Sequence, residues 1–79
     1  MSPTILRVGR FRFFFFSREE KRPHVHVSSP EGEAKFWLDP LGELARNYEL
    51  SDRDLREIEK LIAEHEQEIR DAWNSHFSS

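Results

Sequence analysis

Hydrophobic positions follow two different periods along this chain. Over residues 1–40 they fall in short strand-like runs, and beyond residue 51 they recur at steps of three and four. Thr4 to Val8 reads as a short strand, and Gly9-Arg10 supplies a two-residue hairpin turn with glycine first. Phe11-Arg12-Phe13-Phe14-Phe15-Phe16 follows. Four consecutive phenylalanines cannot alternate in and out, so this strand is apolar on both faces and central in its sheet. Ser17 to Pro23 is a charged loop closed by proline. His24-Val25-His26-Val27 is a clean period-2 strand, Ser29-Pro30-Glu31-Gly32 a turn, and Glu33 to Leu38 a last strand ended by Asp39-Pro40.

The remainder reads as helical. Leu41 to Tyr48 predicts a short helix with Leu44 and Tyr48 one turn apart, weakened by Gly42. Ser51-Asp52-Arg53-Asp54 resembles a capping box, with Asp54 in place of the usual Glu or Gln. Leu55, Ile58, Ile62, His65, Ile69, Ala72 or Trp73, and His76 then form one stripe, which predicts a single amphipathic helix of about 25 residues. The expected fold is α+β: a four-stranded antiparallel β-meander with a short helix and a long C-terminal amphipathic helix packed on one face. One domain spans 1–79, with the meander in 1–40 and the helical part in 41–79.

The turns set the registers. With Gly9-Arg10 as the loop, Val8 pairs Phe11, Leu6 pairs Phe13, and Arg7 stands opposite Arg12. With Ser29 to Gly32 as the loop, Ser28 pairs Glu33, His26 pairs Lys35, and His24 pairs Trp37. The parity between the two hairpins is open, and a one-residue slip moves every side chain across the sheet. One parity collects Leu6, Val8, Phe11, Phe13, Phe15, Val25, Val27, Ala34, Phe36 and Leu38 on a wholly apolar face, which is what the long helix needs. The opposite face then holds Arg7, Arg12, Phe14, Phe16, His24, His26, Lys35 and Trp37. These are the candidate binding residues.

Composition narrows the setting. Seventy-nine residues fold to roughly 5,000 Å² of exposed surface, a thin core for a lone chain. There are no cysteines, so neither disulfides nor thiolate zinc sites stabilise it. No apolar run approaches the ~18 residues of a membrane span, and no signal-peptide core opens the chain, so the expected location is cytoplasmic with no membrane partner. The net charge of -3 hides a basic front half and an acidic back half. The front half can meet an anion that the back half repels.

On the candidate face, Arg7 directly across from Arg12 is an unfavourable like-charge pair that an anionic ligand or acidic partner would relieve. The plainer reading is that both arginines splay into water and the aromatics pack under the short helix. Cations interleaved with aromatics also suit single-stranded RNA. His24 and His26, two apart on a strand, point the same way. Zinc would need a further ligand, and His65 and His76 are too far apart along their helix to supply a joint site, so no metal or other cofactor is expected. Metal-free RNA cleavage is the second chemistry, with His24 and His26 as general base and acid and Arg12 or Lys35 stabilising the phosphate. The His-φ-His-φ-His pattern of histidine-triad hydrolases stops at Ser28, and the His-φ-Ser element of two-histidine phosphoesterases occurs once, so neither pattern fits.

Pro3-Thr4-Ile5-Leu6-Arg7, the aromatic strand, Pro23-His24-Val25-His26-Val27, Gly32 to Pro40 (Gly-Glu-Ala-Lys-Phe-Trp-Leu-Asp-Pro), Glu43-Leu44-Ala45 and Trp73 together resemble the small prokaryotic family called domain of unknown function 4160. The stretch Ser17 to Arg22 departs from it as a variable loop. The resemblance implies a bacterial or archaeal origin and a toxin–antitoxin-like setting beside a second small protein. It implies no catalytic residues. The expected function is therefore a protein-interaction module of such a pair, its partner a small cognate protein or a second copy. The alternative is a metal-independent ribonuclease toxin.

Overall fold

The computed structural model describes residues 4–16 and 21–77. Most of the charged loop before Pro23, and Pro3, lie outside the described residues. Five strands, β1 (Thr4–Val8), β2 (Phe11–Phe14), β3 (His24–Ser29), β4 (Gly32–Leu38) and β5 (Leu41–Tyr48), precede two helices, α1 (Asp52–Glu64) and α2 (Glu66–Phe77). The strands form one antiparallel sheet in the order β1-β2-β3-β4-β5.

Both hairpin registers agree with the turn-based expectation. Arg7 faces Arg12, His24 faces Trp37, and His26 faces Lys35. Between the hairpins, Phe13 faces Val27 and Phe14 faces His26, so the apolar parity is the one adopted. Phe11, Phe13, Phe15, Val25, Val27, Ala34, Phe36 and Leu38 are buried together against Leu55, Ile58, Ile62, Ile69 and Trp73 of the helices. A slip of one residue would place both histidines in this core and expose the valines.

Two expectations need correction. Residues 41–48 form the edge strand β5, not a short helix, so the sheet has five strands and extends past residue 40. Asp39 and Pro40, joined by a cis peptide, make a two-residue connection in which Leu38 faces Leu41. Gly42 has φ 77°, a left-handed conformation no helix interior uses. Against β4, the paired residues skip Gly42 and Ala45 on β5. These bulges break the period-2 pattern, so Leu44 and Tyr48 fell at a helix-like spacing by coincidence.

The second correction concerns the long helix, which is interrupted at His65 (φ -111°, ψ 22°). The apolar stripe persists on both sides of the break, with Leu55, Ile58 and Ile62 buried in α1 and Ile69 and Trp73 in α2. His65 Nδ1 lies 3.2 Å from Glu68 Oε1, and His76 is exposed beside Phe77, so neither helix histidine is a core residue. The cap behaves as its sequence implies: Ser51 Oγ accepts from the Asp54 amide at 3.1 Å.

Arg10 and Arg70 join the layers. Arg10, in the β1–β2 turn, bridges Glu31 of the β3–β4 turn and the buried Asp54 of α1. Arg70 of α2 donates to the Leu38 carbonyl at 2.7 Å and pairs with Asp39 and Glu66. Hydrogen bonds donated to Asp54 in one case, and to Asp39 and Glu66 in the other, raise both guanidinium pKa values further. Stability from a raised pKa is complete below the unfolded value and lost only above the folded one. The basic side of each clamp therefore stays charged at any pH near neutral.

Candidate functional site

The sheet face away from the helices is organised in cross-strand rows. One row reads Arg7, Arg12, Ser28, Glu33, Tyr48; the next reads Phe14, His26, Lys35, Arg46; the third holds His24, Trp37 and Glu43. Every binding candidate named from the sequence lies on this face or continues it, as Phe16 does past the end of β2. Glu43, Arg46 and Tyr48 were missed because they belong to β5. Since 41–48 is a strand, no short helix covers the aromatics.

The aromatic components are mostly built in. Phe14 is buried under the Arg12 guanidinium, 4.5 Å from its ring centroid, and stacks on His26 at 5.4 Å with an interplanar angle of 22°. Arg12 Nε also donates to Thr4 Oγ1 at 2.7 Å. Trp37 carries two cations, Arg22 at 3.9 Å and Lys35 at 4.7 Å from the ring centroid. Arg22 is held in turn by the Asp39 carbonyl at 2.9 Å and Glu43 at 3.5 Å. These contacts offset part of the repulsion among the cations.

Both strand histidines are buried, His26 at 7% exposure, and they differ in what they border. His24 is 0% exposed. Its Nδ1 donates to the Arg22 carbonyl at 2.7 Å, and its ring meets His26 at 5.2 Å, Trp37 at 6.0 Å and Trp73 of α2 at 5.1 Å. The helical layer therefore reaches His24 at the start of β3, although its register places it on the outer face. His26 lines an open cleft of about 340 Å³ with Phe16, Glu33, Lys35, Arg46 and Tyr48. Its Nδ1 is 4.0 Å from Glu33 Oε2. A general acid or base must come within hydrogen-bond reach of substrate. His26, packed between Phe14 and Phe16, reaches the cleft with only a small part of its ring, and His24 is enclosed entirely.

Among the described residues no three His, Asp or Glu side chains converge as a metal site would require, and no helix is long and apolar enough to cross a membrane. The face combines cations, two half-exposed aromatics (Phe16 and Tyr48) and one largely buried imidazole, His26, at the edge of a cleft, an arrangement suited to holding an anion.

The family model described as Domain of unknown function (DUF4160) matches residues 10–74. The chain belongs to the DUF4160 family. The matched range takes in Arg12, His24, His26, Lys35, Trp37 and Arg46, and begins after Arg7 and the Pro3 to Arg7 stretch that formed part of the resemblance. No curated protein and no solved structure matches the chain.

Proposed function

We infer that this DUF4160 chain is a small protein-interaction module that docks an acidic partner on the outer face of its sheet. The division of charge between the two layers carries the reading. Arg7, Arg12, Arg22, Lys35 and Arg46 share the outer face with only Glu33 and Glu43 among the described residues. Residues 52–77 hold eight carboxylates against four Lys or Arg. Complementary potentials steer partners and exclude wrong ones, so an acidic protein approaches the sheet and is repelled by the helices. A sheet covered by helices on one face offers the other as the place for a further layer. The family resemblance points to a prokaryotic, cytoplasmic toxin–antitoxin-like pair, whose second small protein is the expected partner; a second copy of this chain is the other form the reading takes.

The ribonuclease alternative is supported by one observation, His26 beside Lys35 and Arg46 in the cleft, and weakened by the enclosure of His24. Two experiments separate the readings. Co-expression with the neighbouring small protein should give a complex that the Lys35→Glu, Arg46→Glu variant loses and Lys60→Glu, on the exposed side of α1, retains. A complex indifferent to the sheet-face reversal rejects the module reading. Growth arrest by the chain alone, abolished by His26→Ala in a folded variant, would put the ribonuclease ahead.

A further inference from the structure

The outer face carries two like-charge pairs directly across neighbouring strands: Arg7 with Arg12 on β1–β2, and Lys35 with Arg46 on β4–β5. Each pair borders its own cleft. The first lines one of about 370 Å³ with Arg10, Ser28 and Ser29, the second the cleft of about 340 Å³ that contains His26 and Phe16. Each pair sets two cationic donors side by side at the edge of its cleft, the geometry in which a carboxylate is held by charge-assisted hydrogen bonds.

The register gives their separation. Arg12 faces Ser28, and Lys35 faces His26, two residues back along β3. The pair centres are thus three strand spacings apart across the sheet and two residues apart along it, about 16 Å in all. Between them lie Ser28 and the rings of Phe14 and His26. We propose that this face is a two-point clamp for an acidic protein segment bearing two carboxylate clusters about 16 Å apart, the length of about five residues of extended chain, each cluster seated on one cation pair. The proposal rests on the interaction-module reading and specifies the partner's chemistry. Single-stranded RNA fits less well, because it needs open ring faces for stacking: Phe14 is buried, Trp37 already carries Arg22 and Lys35, and Phe16 and Tyr48 are left.

Two labelled heptapeptides of identical composition test the spacing by fluorescence anisotropy at low salt. In Glu-Glu-Ser-Leu-Ser-Glu-Glu the clusters are centred about five residues apart; in Glu-Glu-Glu-Glu-Ser-Leu-Ser the acids are contiguous. The split peptide should bind at least about fivefold tighter. The Arg7→Ser, Arg12→Ser variant and the Lys35→Ser, Arg46→Ser variant should each erase that advantage, with circular dichroism confirming that they fold. The single changes Arg7→Ser and Arg46→Ser, at exposed positions, should each reduce it and serve if a double variant does not fold. Equal affinity for the two peptides overturns the clamp and leaves the acidic-partner reading standing. If neither peptide binds, both fall, and binding of a single-stranded RNA dodecamer in that case would assign the face to nucleic acid.

Discussion

Ile62 is the point at which the packing account is most exposed to test. It is 0% exposed in α1 and belongs to the cluster of buried residues that joins helices to sheet. Ile62→Ala removes three carbons whose transfer from water is worth about 2.4 kcal/mol, and the unfilled space brings the expected loss to about 2–5 kcal/mol. A domain of this size has only about 4–12 kcal/mol of stability in total. Urea denaturation followed by far-ultraviolet circular dichroism measures the loss. With a slope of about 1 kcal/mol per molar, the midpoint should fall by at least about 2 M, and the melting temperature by at least roughly 8 °C. Lys60→Ala, at an exposed position of the same helix, should change stability by less than about 0.5 kcal/mol. A loss below about 0.5 kcal/mol for Ile62→Ala would mean that this stripe of α1 does not face the sheet.

Other positions give sharp expectations. A Cβ at Gly32 would lie 2.1 Å from the Tyr48 carbonyl oxygen, a backbone atom that cannot swing aside, so Gly32→Ala should cost about 1–3 kcal/mol or more; a melt unchanged from the parent would refute the β4–β5 pairing there. Glu49 has φ 68°, a conformation that costs most L residues about 1–2 kcal/mol, and Asn47 holds the segment by exchanging hydrogen bonds with Leu50. Glu49→Gly should therefore raise the melting temperature by a few degrees, and a decrease would contradict that backbone. His24→Ala should destabilise by roughly 2–4 kcal/mol as a buried large-to-small change. Parent-like melting with loss of some activity would instead make His24 a working surface group.

What the sequence made legible follows from what local chemistry determines. Gly9-Arg10 and Ser29 to Gly32 set two hairpin registers, and the absence of any other wholly apolar face chose the parity between them. The stripe from Leu55 to Trp73 identified the helical layer because burial there is periodic. β5 was hidden for the opposite reason. Most of it is exposed at the sheet edge, bulges at Gly42 and Ala45 remove its alternation, and packing rather than propensity decides its conformation. Asp39-Pro40 marks a strand end in sequence, and in the structure it is also a two-residue loop that returns the chain antiparallel. The break at His65 has no glycine or proline to announce it. The candidate site inherited these gaps: Arg12, His26 and Lys35 were placed correctly, while Arg46, Tyr48 and Glu43 depended on a strand not foreseen. His24 was expected to share its neighbour's role, and it is buried because Trp73 reaches it from a helix far away in sequence.

The central claim is that the sheet face, and not the helical layer, receives the partner. Amide and side-chain NMR shift mapping of the isotopically labelled chain, with and without the peptide Glu-Glu-Ser-Leu-Ser-Glu-Glu, tests it most directly. Perturbations clustered at Arg12, Lys35, Arg46, Tyr48 and Phe16, and weakening as salt is raised, are the predicted result. Perturbations clustered instead on the exposed positions of α1 and α2, with the sheet-face resonances unmoved, would contradict the account.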